Sequence, residues 1–222
     1  MRTRMKVCCI ANVDEARLAV ACGADALGVV GAMPSGPGVI DDDEARAIAA
    51  WAPPPVATFL LTSFSGATDI AAHVRSIGAP VVQLVRHLEP RESARLAELL
   101  PDVRRVQVVH VEGDDALSRI PAYAPHVHAF LLDSGRPSLA VPQLGGTGRI
   151  HDWSVSAAFV AASPVPVFLA GGLHAGNVAA AIETVRPFGV DLCSGVRTDG
   201  RLDRAKLRRF AAAVTAAANE LS

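Results

Sequence analysis

Charge is scarce in this sequence. Of 222 residues, 19% are Asp, Glu, Lys or Arg, and 21 basic against 22 acidic side chains leave a formal net charge of -1. No basic stripe stands out, so the electrostatic footprint of a nucleic-acid or anionic-membrane binder is missing. No apolar run reaches the about 18 residues that suggest a membrane-spanning helix. The opening Met1-Arg2-Thr3-Arg4-Met5-Lys6 leads into a short strand rather than an apolar signal segment, so the expected location is the cytoplasm. Cysteine is equally sparse. Cys8, Cys9, Cys22 and Cys193 lack zinc-site spacing, and a chain of this size needs no disulfide framework. His87, His110, His126 and His128 form no ligand pattern with carboxylates, so no metal is expected.

What is present is apolar sequence in a regular rhythm. Half the residues are hydrophobic, enough to bury a large core. Eight β-branched runs stand at Met5 to Ile10, Ala26 to Val30, Val56 to Leu61, Val81 to Leu84, Arg105 to His110, Ala129 to Asp133, Val167 to Ala170 and Val190 to Cys193. Helical stretches separate them, such as Asp14 to Cys22, Asp42 to Trp51, Arg91 to Leu100, Asn177 to Val185 and Arg204 to Leu221. Alternation of this kind implies parallel strands joined by crossover helices. Eight units in a chain of this length favour a closed (β/α)8 barrel, a TIM barrel, over an open sheet. Gly23 and Gly78 are expected to end helices just before strands two and four. No linker divides the chain, so residues 1–222 are read as one barrel domain.

Barrel enzymes place their chemistry in the loops after the strands. Glycines gather there: Gly145-Gly146-Thr147-Gly148 after strand six, Gly171-Gly172 after strand seven, Ser194-Gly195 after strand eight. Glycine lets backbone amides approach an oxyanion closely, so these loops suggest phosphate binding. The plainer alternative is that they only turn the chain.

Two further residues carry possible chemistry. Asp133 ends the apolar run Phe130-Leu131-Leu132, where a carboxylate is costly to bury without a partner or a task. Asp133-Ser134-Gly135 is also good turn chemistry. Cys8 shares a strand face with Lys6 and Ile10, while Val7 and Cys9 share the other. A free cysteine is most often a small buried hydrophobe, and Cys9 and Cys22 are read that way. A functional role for Cys8 needs thiolate character, which nearby positive charge favours. If Lys6 and Asp191 both point inward, they pair across strands one and eight and bring Cys193 near Cys8.

At this point the motifs match a family. Lys6-Val7-Cys8-Cys9-Ile10 is similar to the KICGI opening strand of phosphoribosylanthranilate isomerases. Gly23-Ala24-Asp25-Ala26-Leu27-Gly28 and Val82-Gln83-Leu84 resemble the family's second and fourth strands. Leu132-Asp133-Ser134, Gly145 to Arg149 and Asp152-Trp153 look like its LLDS and GGTG segments. Leu169 to Leu173 with Asn177-Val178 resembles its LAGGLxxxNV. Arg186 to Asp191 leading to Ser194-Gly195-Val196 resembles its RPxGVDVSSGVE. The likeness runs from residue 6 to about residue 206.

The resemblance implies a cofactor-free Amadori rearrangement of N-(5-phosphoribosyl)anthranilate in tryptophan biosynthesis. It implies Cys8 as general base and Asp133 as general acid. It implies a phosphate held by Gly146, Thr147, Gly171, Gly172, Ser194 and Gly195. The phosphosugar is then the partner, with no nucleic acid or membrane involved.

Several positions depart from the family. Its arginine after strand two, implied to grip the anthranilate carboxylate, is Gly38 here, within Gly36-Pro37-Gly38. An arginine fork on a carboxylate is a strong and specific contact. Arg86 and Arg197 are candidates to replace it, beside Gln83 as a further substrate-binding residue. The glycine after the catalytic cysteine is Cys9, the histidine of the fourth strand is Val85, and Arg197 stands where glutamate is usual. Three readings follow. The chain is the tryptophan-pathway isomerase, or a relative acting on another phosphoribosyl amine or sugar phosphate in secondary metabolism, or a barrel that binds a phosphosugar without turnover.

Overall fold

A computed structural model describes residues 2–34, 36–111, 114–134 and 152–220. Eight parallel strands close into a barrel in chain order: β1 (Arg4–Val7), β2 (Ala26–Val30), β3 (Ala57–Thr62), β4 (Val81–Leu84), β5 (Arg104–His110), β6 (Ala129–Asp133), β7 (Val167–Leu169) and β8 (Gly189–Leu192). Closure is made by β1 and β8, in the register Lys6↔Asp191 and Val7↔Leu192. The expected eightfold alternation is therefore the fold.

Helices α1 (Val13–Ala21), α2 (Asp42–Trp51), α3 (Ala67–Ile77), α4 (Pro90–Leu99), α5 (Ile120–Tyr123), α6 (Trp153–Ala162), α7 (Val178–Val185) and α8 (Arg204–Glu220) pack outside it. Short polar side chains fix where they begin. Asn12 Oδ1 accepts from the Glu15 amide at 2.9 Å and Asp41 Oδ1 from the Glu44 amide at 2.8 Å, each satisfying a free donor of the first turn. Gly78, at φ 75°, ends α3 in the left-handed conformation as expected. α5 is a single turn between two 3-10 turns, Asp114–Arg119 and Ala124–His126. Pro121 and Pro125 limit it, since a proline inside a helix removes a donor and clashes with the preceding turn.

Alternation along the strands divides the apolar residues into two layers. On β6, Phe130 and Leu132 face the helices while Leu131 faces the barrel axis. The inner layer is small, with Phe59, Leu61, Val106, Val108 and Phe168 among its members. Among the described residues, no helix is long and apolar enough to cross a membrane.

β1 departs from expectation. The apolar run continues to Ile10, but the strand ends at Val7. The cause lies at Cys9, whose φ of 61° is left-handed and cannot continue a pleated strand.

Candidate active site

The C-terminal mouth of the barrel holds a cavity with about 740 Å³ of empty space, part of it open to solvent. Cys8 and Asp133 both line it, from the ends of β1 and β6. Gly171 and Gly172 line it after β7, and Ser194 after β8. Gln83 reaches it from β4. Six of the residues singled out from the sequence therefore converge on one space.

The buried ion pair under this cavity forms as expected. Lys6 Nζ lies 2.9 Å from Asp191 Oδ1, with both side chains almost wholly buried. Burial works against the Lys6 charge, but Asp191 and the neighbouring Cys8 and Cys9 outweigh it and raise its pKa. Burial raises the Asp191 pKa; Lys6 opposes that shift, and Asp133 adds to it. Lys6 therefore stays cationic at neutral pH. Cys8 is thus among the groups whose charge acts on Lys6.

Gly28 keeps this space open. A Cβ there would sit 2.8 Å from Cys8 Sγ and 3.1 Å from Lys6 Nζ. Gln83 is buried, and its Oε1 has no hydrogen-bond partner among the described residues. A buried acceptor of this kind is costly unless something outside the fold donates to it.

The rim after β7 and β8 is built for close approach. Gly171 and Gly172 have φ values of 87° and 63°. Asn177 locks their turn, its Nδ2 donating to the Gly172 carbonyl at 3.0 Å and its Oδ1 accepting from the His174 amide at 2.8 Å. No backbone carbonyl among the described residues accepts from the amides of Gly171, Gly172, Ser194 or Gly195. Gly195 is set back from the cavity wall, and a Cβ on it would meet the Leu173 carbonyl oxygen at 2.1 Å. Its glycine is demanded by packing. Gly146 and Thr147 lie outside the described residues.

Three expectations need correcting. Strand alternation puts Cys9 outward with Val7. The left-handed turn at Cys9 swings its side chain into the mouth instead, where it is buried and lines the cavity. Arg197 is not among the residues lining the cavity. Its Nη1 and Nη2 donate to the two Glu15 carboxylate oxygens at 3.1 and 3.0 Å, and further to the carbonyls of Gly200, Cys8 and Cys9. Burial tends to raise the Glu15 pKa, but Arg197 and the amides of Leu202 and Ala11 lower it overall. Arg197 thus clamps the end of β1 to α1. Arg86, the other candidate cation, is not among the residues lining the cavity.

Cys193 follows the register expected for it, since the Cys8 amide donates to the Leu192 carbonyl at 2.8 Å. Its thiol meets the side chains of Cys9 and Arg197. Hydrogen bonding to Cys193 and Cys8, with burial, pushes the Cys9 thiol up, and the same Cys9 contact pulls Cys193 down. Sequence reasoning left Cys9 outside the site. The signal was available: a residue standing where the resembling family keeps glycine inherits a backbone that breaks strand alternation. Among the described residues, no three metal-ligating side chains cluster.

The geometry agrees with what the chain is similar to. Residues 5–213 match the family described as N-(5'phosphoribosyl)anthranilate (PRA) isomerase. N-(5'-phosphoribosyl)anthranilate isomerase 2 of Methanosarcina mazei is 36% identical over 209 residues, 93% of this chain and 92% of that protein. The crystal structure of phosphoribosyl anthranilate isomerase from Thermotoga maritima superposes with a TM-score of 0.83 at 28% identity, covering 96% of this chain and 99% of the other. A phosphoribosyl anthranilate isomerase in complex with reduced 1-(o-carboxyphenylamino)-1-deoxyribulose 5-phosphate gives 0.80 at 26% identity, with the same coverage. With a family match over nearly its whole length and a relative of this identity, the chain belongs to the phosphoribosylanthranilate isomerase family.

Proposed function

We propose that the protein converts N-(5-phosphoribosyl)anthranilate to 1-(2-carboxyphenylamino)-1-deoxyribulose 5-phosphate, a step of tryptophan biosynthesis, without a cofactor. The observation that carries this reading is that a thiol, a carboxyl group and a glycine-built rim share one cavity. The rim supplies amides for the substrate phosphate at Gly171, Gly172, Ser194 and Gly195, with Gly146 and Thr147 in the adjoining loop. Amides that no backbone carbonyl occupies cost little to turn toward an oxyanion.

With the phosphate held there, the sugar extends across the mouth toward Cys8 and Asp133. Asp133 donates its proton to the furanose ring oxygen, and the C1′–O bond breaks to give an open-chain iminium. Cys8, as thiolate, takes the proton from C2′, and the electron pair moves to form an enolamine. Tautomerisation to the ketone completes the rearrangement. Gln83 Oε1 accepts a hydrogen bond from a substrate hydroxyl or amine. A positioned acid or base of this type contributes about 100- to 10,000-fold.

The test is turnover by the purified protein. Phosphoribosylanthranilate generated in situ is expected to be consumed with loss of its arylamine fluorescence, and the product to be the 1-deoxyribulose phosphate. Growth of a tryptophan auxotroph lacking this isomerase is expected when the chain is supplied. Soluble protein with neither turnover nor rescue, yet with saturable phosphosugar binding, would point to a binding barrel instead.

A further inference from the structure

Two unusual residues at the mouth are one structural unit. Cys9 takes a left-handed φ of 61° and points into the cavity. Gly38, across from it in the loop after β2, has a φ of 78°. A Cβ at position 38 would lie 2.5 Å from the Cys9 Cβ and 3.1 Å from its sulfur. The first distance is far inside van der Waals contact, and neither atom is the end of a flexible chain. A side chain at position 38 and a side chain at position 9 therefore exclude one another. The Cys9 sulfur also sits 3.7 Å from the Pro37 carbonyl oxygen, which holds the loop down over it.

The surrounding wall has a consistent character. Barrel order sets the loops after β2, β3 and β4 across the mouth from those after β6, β7 and β8. On that side the cavity is lined by Val30, Met33, Pro37, Leu61 and Val85. No lysine, arginine or histidine is among the described residues lining the cavity, whereas Asp133 and Asp191 are. Of the described cations near the mouth, Lys6 is paired with Asp191 and Arg197 with Glu15, and Arg86 is not among the lining residues. A carboxylate brought to this wall would find no cation among the described lining residues, and where the cavity opens to solvent it would stay screened by water.

We propose that Cys9 is a specificity-determining residue: by occupying the space of a side chain at position 38, it gives the amine end of the pocket an apolar wall with no carboxylate partner. The chain accordingly accepts phosphoribosyl arylamines that lack the ortho carboxylate about as well as the one that carries it. This rests on the isomerase reading, because it assigns the phosphate to the opposite rim.

The test uses two non-reacting ligands and binding alone. One is the reduced 1-(o-carboxyphenylamino)-1-deoxyribulose 5-phosphate found in the related complex. The other is its phenylamino counterpart without the carboxylate. By titration calorimetry, the wild-type protein is expected to bind both within about threefold, the range of an unpaired, screened charge. Tighter binding of the carboxylated ligand by about tenfold or more, the mark of a charge-assisted contact, would overturn the proposal. Binding of neither ligand would instead overturn the isomerase reading on which it rests.

Variants separate the role of Cys9 from that of the wall. Gly38→Arg alone is expected to gain no preference for the carboxylated ligand. Cys9→Gly with Gly38→Arg is expected to gain about tenfold or more, because the 2.5 Å clash is removed. The remaining 3.0 Å approach of position 38 to the Cys9 Cα and the left-handed φ of 78° there both need the loop to shift as it takes the new side chain. Equal preference in the single and double variants would show that Cys9 excludes nothing. The wild-type comparison stands even where a variant fails to fold.

Discussion

At the N-terminal end of the barrel, Phe59, Phe168 and Phe188 meet edge to face, with ring centroids 5.9 and 5.4 Å apart. Arg105, near the start of β5, is buried, and its guanidinium donates to the carbonyls of His126, Leu100 and Val103 at 2.8 to 3.0 Å. At the C-terminal end, Gln83 Oε1 is buried without a partner among the described residues, Cys9 is held at φ 61°, and two acids and three thiols line one space. The wider hollow is at the first end, with about 1200 Å³ of open space against 740 Å³ at the second. Size therefore does not mark the site. One end fills its axis with rings. The other leaves polar atoms and strain unresolved, which is where a ligand and a reaction have something to supply.

That contrast is broken most sharply by removing the proposed acid or base. Cys8→Ser and Asp133→Asn are each expected to lower kcat/KM by about 100- to 10,000-fold. Thermal denaturation is expected to change by no more than a few degrees, about 1 kcal/mol for a chain this long. Near-normal turnover in either variant would remove that residue from the chemistry.

Phe168→Ala asks the converse question at the other end. Truncating a buried ring costs about 3–5 kcal/mol, which corresponds to roughly 10 °C in Tm at this chain length. The kcat of the folded fraction is expected to hold within about twofold, since Phe168 touches neither the thiol nor the carboxyl. A large loss of kcat with little loss of Tm would erase the distinction between the ends.

The Glu15–Arg197 clamp gives the smallest effect and sharpens the boundary between them. Glu15→Gln is expected to destabilise the protein by about 1.5–3 kcal/mol at neutral pH. The folded-state pKa of Glu15 is depressed, so the stability it contributes is present above the unfolded value of about 4.3 and is lost as pH falls through the folded value. The gap in stability between wild type and variant, measured by urea denaturation, is expected to close as pH falls from 6 to about 3. A gap that stays constant over that range would show that the carboxylate charge is not what holds β1.

Much of this was legible in the sequence. Ala26–Val30, Val81–Leu84 and Ala129–Asp133 are strands within the bounds that their apolar runs suggest, because nothing at their ends competes with the pattern. Cys8, Asp133 and the glycine rims were visible as strand ends. The region around α5 was not, because two prolines reduce that crossover to single turns. Cys9 was misplaced because period-two alternation assumes an extended backbone, and its φ of 61° is left-handed. Arg197 was misassigned because Glu15, its partner, is 182 residues away in the chain. Composition and spacing carry no signal for a pair so far apart.

The most direct measurement is a crystal structure with the reduced product analogue bound. The account predicts its phosphate within about 3.2 Å of the amides of Gly172 and Ser194. It also predicts the Cys8 sulfur and an Asp133 oxygen within about 3.5 Å of the C2′ and ring-oxygen positions. A phosphate seated away from those amides, or a Cys8 sulfur turned from the sugar, would contradict it.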